Sequence, residues 1–131
     1  YGWRGYLQAK LMRLGRVRGV LLLGIIWGIW HWPVIMMGYN YPGHPWLGSV
    51  YFVLYTISLG VVLSHAVLKT GSIWLAAFLH AMNNNALQFT TGVIYAPADP
   101  FFSFGAGIYS LPILLIVVWL LLRDPIWRQQ T

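Results

Sequence analysis

Between Gly19 and Leu68 the chain runs for 50 residues without a Lys, Arg, Asp or Glu. Two more uncharged stretches follow, Thr70 to Ala98 with 29 residues and Pro100 to Leu122 with 23. Charged side chains are what cover the surface of a soluble domain, whereas a bilayer-crossing helix needs about 20 consecutive apolar residues. Composition agrees: 59% of the 131 residues are hydrophobic and 8% are charged, against roughly 25% charged in an ordinary soluble domain. A soluble enzyme, a disordered tail and a nucleic-acid-binding module are therefore poor readings. The sequence predicts an all-α membrane protein forming one integral-membrane domain over 1–131.

The first stretch is long enough for two helices, and Tyr39-Asn40-Tyr41-Pro42-Gly43-His44-Pro45, dense in turn formers, breaks it. Spans are expected over 19–37, 47–68, 72–90 and 106–122. Before them, Tyr6, Leu7, Leu11 and Leu14 recur at helical spacing among basic residues, which predicts an amphipathic, interfacial helical segment. The formal net charge is +6. Five of the eight basic residues (Arg4, Lys10, Arg13, Arg16 and Arg18) precede Gly19, Lys69 lies between the second and third spans, and Arg123 and Arg128 follow the fourth. Basic and non-basic ends thus alternate at every crossing. The basic ends are expected in the cytoplasm against anionic lipid, with lipid rather than nucleic acid as the partner. Gly24-x-x-x-Gly28 and Gly60-x-x-x-Ser64 would let helices approach closely. The absence of Cys excludes disulfides, thiolate metal sites and a cysteine nucleophile.

Several polar residues interrupt the apolar runs, and each is costly in hydrocarbon. His31 lies 12 residues into the first predicted span, roughly 18 Å deep, and His80 lies 8 residues beyond Ser72, roughly 12 Å deep in a span of the same direction. Both are expected near mid-membrane. His80, Asn84 and Gln88 follow at i, i+4 and i+8 and form one polar stripe, flanked by Asn83 and Asn85; lipid cannot satisfy these groups, so the stripe must face other helices or a wet cavity. Trp27 shares a helix face with His31, and Pro33 is expected to kink the helix just beyond. His44 and His65 read as interfacial, Asp99 as a turn residue, and the Trp and Tyr residues mostly as belt and packing.

Two imidazoles and an amide can serve as general base, metal ligand and oxyanion donor, the functions peptide hydrolysis uses. A zinc on His31 and His80 would have two protein ligands, fewer than the usual three, and no carboxylate of the chain lies at that depth. The bland alternative makes the same residues interhelical hydrogen-bonding glue. Haem ligation by the two histidines is a further option.

The motifs Tyr1-Gly2-Trp3-Arg4, Trp27-x-x-x-His31 and His80-x-x-x-Asn84, in this order, resemble the CPBP (CAAX protease and bacteriocin-processing, also Abi) family of intramembrane proteases. The family pattern is Glu-Glu-x-x-x-Arg, then Phe-x-x-x-His, then His-x-x-x-Asn or Asp. Here Trp27 stands in place of Phe, and the glutamate pair would fall immediately before Tyr1. The resemblance implies a helical bundle of about eight spans, of which these four would be the C-terminal half, and a water activated by a glutamate with His31. His80 and Asn84 would hold the oxyanion; Arg4 would support the first motif through an ion pair, with Trp27 and Asn83 in supporting places. Metallo- and glutamate-type mechanisms both fit, so a divalent metal such as zinc on His31 and His80 is a conditional expectation.

On this reading the chain is a fragment of an intramembrane endopeptidase, inactive without its glutamate, whose substrate is a peptide or a membrane-protein segment. The short loops and Arg-rich boundary suit a bacterial inner-membrane protein, which points away from prenylated substrates. The competing expectation is a non-catalytic membrane scaffold or bacteriocin self-immunity protein.

Overall fold

A computed structural model describes residues 1–94 and 99–129 of the chain. Among the described residues the structure is helical throughout, with no strand. A short N-terminal segment comprises a π-helical turn Gly2–Leu7, the single turn α1 (Gln8–Leu11) and a 3-10 turn Met12–Leu14. Gly15, at φ 99°, stops it in a conformation that side-chain-bearing residues avoid. Then come α2 (Arg16–Met36), α3 (Pro45–Thr70), α4 (Ile73–Phe89) with a π-helical continuation Thr90–Ile94, two 3-10 turns (Pro100–Phe102 and Ile108–Ser110), α5 (Leu111–Leu122) and a last 3-10 turn Pro125–Arg128.

The predicted spans coincide with α2 to α5 to within a few residues except at 106–122, where α5 begins only at Leu111 after a 3-10 turn. By length and composition α2 (21 residues) and α3 (26 residues) can cross a membrane. α4, with 17 residues, and α5, with 12, are shorter than that requirement. The predicted loop 91–105 is partly π-helical at its start, and its residues 95–98 lie outside the described residues.

α3 is the hub, packed against α2, α4 and α5. α2 and α3 run antiparallel: Gly24 lies against Ile57, Gly28 against Val53, and the Trp32 indole donates to the Ser49 carbonyl at 3.0 Å. A Cβ on Gly24 would lie 2.5 Å from Ile57 Cα, and one on Gly28 would lie 2.7 Å from Val53 Cα. The Gly24-x-x-x-Gly28 pair is thus the contact seam, sealed by a 2.9 Å bond from the Thr56 hydroxyl to the Gly24 carbonyl. α2 continues through Pro33 to Met36. α3 starts with Pro45 at its first turn, and ends on Gly71 in the left-handed conformation, φ 67°.

The N-terminal segment packs on α3 through a face of mixed polarity. Gln8 and Met12 are its buried residues, with Arg4 half-buried one turn earlier, while Tyr6 and Leu14 are exposed. Its inward stripe is therefore Arg4, Gln8 and Met12. Polar groups win because Ser64 of α3 meets them: Arg4 Nη1 donates to Ser64 Oγ at 2.8 Å, and that hydroxyl donates to Gln8 Oε1 at 3.1 Å. Gly60-x-x-x-Ser64 thus receives this segment, Arg4 Nη1 also reaching the Gly60 carbonyl at 3.4 Å.

Tyr41 and Tyr51, among the residues read as belt or packing, are packing residues. Tyr41, fully buried, gives its hydroxyl to the Ala106 carbonyl, and Tyr51 donates to the Gly107 carbonyl at 2.6 Å. Burial pushes the Tyr41 phenol well above its ordinary range, so it stays a donor. With Phe52 and Phe101 these rings pin the segment before α5 onto α3. Asp99 caps the turn at Pro100 by accepting from Phe101 N–H, and its other oxygen pairs with His44 at 2.8 Å.

At the basic end, Asp124 takes Lys69 Nζ at 2.7 Å and His65 Nε2 at 3.1 Å. The Lys69 hydrogen bond, then the Ile126 N–H and His65, hold its carboxyl well below the usual carboxylate range. Because the folded-state value lies below the roughly 3.9 of an unfolded aspartate, this stabilisation is complete above that pH and is lost as pH falls through the folded value. Asp124→Asn is expected to lower the melting temperature slightly at pH 6 and to flatten its fall below about pH 4, read by thermal unfolding in detergent. An unchanged acid profile would refute the clasp.

Candidate active site

Most of the polar residues flagged in the apolar runs line one space, walled by three helices. α2 brings Trp27 and His31, α3 brings Phe52, Tyr55 and Thr56, and α4 brings His80, Asn83, Asn84 and Gln88 to a cavity of about 620 Å³. The loop 37–44 and Pro100 and Ala106 line its far end. His80, Asn84 and Gln88 occupy one face of α4, so the stripe read from their four-residue spacing lines a cavity. Asn85 lies off that stripe and returns its Nδ2 to the Ala81 carbonyl at 2.9 Å.

His31 Nδ1 lies 2.8 Å from the carbonyl oxygen of Trp27, one turn back on its own helix. A carbonyl only accepts, so Nδ1 carries the proton, and in the neutral ring Nε2 keeps its lone pair. That tautomer suits a base or a ligand. The ring is held edge-on by Trp30 and Phe52, each at 4.9 Å between centroids. Trp27 touches both histidines, at 6.1 Å from His31 and 5.1 Å from His80, each edge-to-face. The Arg4 guanidinium sits 5.3 Å over the Trp27 ring. Arg4 lies outside the main cavity and lines a smaller one of about 110 Å³ with Trp3, Trp27 and His80. Where an ion pair was expected for Arg4, its described hydrogen bonds go to neutral groups, Ser64 and Gly60.

Among the described residues no three His, Cys, Asp or Glu side chains gather into a metal-binding group. His31 and His80 offer two imidazoles where a catalytic zinc carries three protein ligands. These residues do not by themselves compose a zinc site. His44 and His65 lie elsewhere, paired with Asp99 and Asp124.

Tyr55 was not singled out in the sequence. Its hydroxyl donates to Asn83 Oδ1 at 2.9 Å, joining α3 to α4 across the cavity wall. The available signal was Tyr51 and Tyr55 at i, i+4 within an uncharged helix, since a phenol in hydrocarbon needs a partner.

Over residues 1–86 the sequence matches the family described as "Type II CAAX prenyl endopeptidase Rce1-like". The chain belongs to this family. The matched stretch includes Arg4, Trp27, His31, His80 and Asn84, and membership agrees with the resemblance to CPBP proteases drawn from those motifs. A curated relative, the "CAAX prenyl protease 2" of Methanococcus maripaludis, is 32% identical over 89 residues, covering 63% of this chain. The match spans 33% of that relative's length. No solved structure matches the chain. The Rce1-like family is membrane-embedded, in keeping with α2 and α3 being long and apolar enough to cross a membrane; bacteriocin immunity finds no support in these relatives.

Proposed function

We propose that this chain is the part of an intramembrane endopeptidase that carries the histidines and the amide of its active site, as a single domain over 1–131. One observation carries the reading: His31 and His80, from separate helices, line one cavity, with Asn84 a turn beyond His80. A peptide carbonyl enters the cavity. His31 Nε2, paired with a glutamate of the family's first motif, takes a proton from water as the water oxygen bonds to the carbonyl carbon. His80 and Asn84 donate N–H groups to the oxyanion. Collapse of that intermediate breaks the C–N bond, and the proton passes to the leaving amine. Trp27 keeps the two imidazoles apart and oriented.

Several features favour four crossings within a larger bundle. α4 with its π-helical continuation reaches Ile94, and α5 with its preceding 3-10 turn runs Ile108–Leu122. Asn84, Asn85 and Gln88 are exposed in this chain, and lipid would leave them unsatisfied, so further helices and the substrate cover them. The basic ends face the cytoplasm of a plasma membrane. Trp3, Trp30, Phe52 and Leu87 give the cavity apolar walls, suited to an apolar peptide segment or a prenylated protein tail.

The test is Asn84→Ala in the full-length protease, reconstituted in liposomes with a labelled peptide. Loss of one oxyanion donor is expected to lower kcat about 100-fold while KM changes little. Asn84 is exposed, so the fold should tolerate the change. Wild-type kcat in this variant would remove Asn84 from the mechanism.

A further inference from the structure

One side chain of α3 reaches towards both histidine-bearing walls, α2 and α4. Tyr55 is buried on α3 and lines the cavity. On one side its ring stacks on Phe52, with centroids 5.6 Å apart and planes 23° from parallel. Phe52 in turn abuts the His31 ring at 4.9 Å. On the other side the Tyr55 hydroxyl donates to Asn83 Oδ1. Asn83 stands between the two α4 residues of the proposed oxyanion site, three residues after His80 and one before Asn84.

A second observation isolates this bond. Asn83 Nδ2 is buried and has no hydrogen-bond partner among the described residues. The Tyr55 hydroxyl is therefore the polar contact that fixes the Asn83 amide. On α4 the described contacts with the core come from Ala76, Leu79 and Leu87, and the bond from Tyr55 adds a directional one. In low-dielectric surroundings such a hydrogen bond is stronger than it would be in water.

We propose that Tyr55 is a positioning residue for the site, setting the rotation of α4 through Asn83 and bracing His31 through Phe52. The proposal rests on the protease reading for its kinetic consequence and on geometry alone for its structural one. Tyr55 touches no reacting atom; it acts through the groups that do.

The experiment is a double-mutant cycle in the full-length protein, with Tyr55→Phe and Asn83→Leu singly and together. Tyr55→Phe removes the hydroxyl and keeps the stacked ring. The expected result is a fall in kcat of about tenfold in each single variant with KM within about twofold, because small misplacements of catalytic groups are felt in kcat. The double variant should lose no more than either single, since both break one bond. Losses that multiply, or wild-type kcat in Tyr55→Phe, would overturn the proposal. Should Tyr55→Phe fold poorly, Asn83→Leu reaches the bond from the other helix and must show the same split.

A second readout needs no catalysis. Diethyl pyrocarbonate acylates neutral imidazole, and mass spectrometry reports the rate at each histidine. In Tyr55→Phe the rate at His80 should change by about threefold or more while His44 and His65 keep theirs, as expected if only α4 has turned. An unchanged His80 rate would overturn the positioning role. A shifted rate in a protein that cleaves nothing would uphold it and count instead against the protease reading.

Discussion

Replacing His31 by Ala in the full-length protein is expected to abolish peptide cleavage, and replacing His80 by Ala to do the same, with both variants inserted into the membrane and folded. The expected losses follow from what each ring supplies. Without His31 the water has no imidazole base, a contribution of about 10²- to 10⁴-fold; without His80 the oxyanion loses a donor, about 10²- to 10³-fold. Groups acting on one transition state are not additive, so the double variant should fall scarcely below the worse single one. Folding survives because both rings are only partly buried and the α2–α3 seam runs through Gly24, Gly28 and Thr56. His65→Ala, removing an imidazole paired with Asp124 outside the cavity, serves as the control and should cleave normally. Full activity in either His31→Ala or His80→Ala would sink the assignment.

How far the sequence could be read depends on which forces leave a linear trace. Uncharged length does: each of the four predicted helices has an observed counterpart, the last starting late, and α2 and α3 are long and apolar enough to cross a membrane. Four-residue spacing does too: His80, Asn84 and Gln88 reach one cavity as a helix dictates. What was lost is what depends on a partner distant in the chain. Tyr6, Leu7, Leu11 and Leu14 mark the N-terminal segment as amphipathic, but nothing local tells that Arg4 and Gln8 turn inward to Ser64, 60 residues from Arg4, which accepts from one and donates to the other. Belt and packing tyrosines could not be told apart in the sequence; Tyr41 and Tyr51 pack because the carbonyls of Ala106 and Gly107 supply acceptors. Tyr55 was missed for the same reason. The late start of α5 has a local cause: Gly105 at φ 91° and Gly107 hold 105–107 out of the helix, the latter packed so tightly on Ser103 that it has no room for a Cβ.

Gly24→Leu should leave no folded protein to assay, and even Gly24→Ala should cost more than it gains. Within an isolated helix Ala is better than Gly by about 1 kcal/mol. Against that, the first added carbon would lie 2.5 Å from Ile57 Cα, which is backbone and cannot rotate away. α2 and α3 must separate, and overpacking of this kind costs about 1–3 kcal/mol, occasionally more. Separation also stretches the 2.9 Å bond from Thr56 to the Gly24 carbonyl, about another 1 kcal/mol. The sum exceeds the propensity gain, so Gly24→Ala should unfold at a lower temperature than wild type. Activity should fall with stability, because Trp27 and His31 lie one and two turns further along the displaced helix. Gly2→Ala, where a Cβ meets nothing within 4 Å, separates this from a generic glycine effect and should leave the melting temperature where it was. Thermal unfolding of the three variants in detergent decides it: a Gly24→Ala protein as stable as Gly2→Ala would mean that the seam has slack, and that Thr56 rather than backbone contact holds α2 to α3.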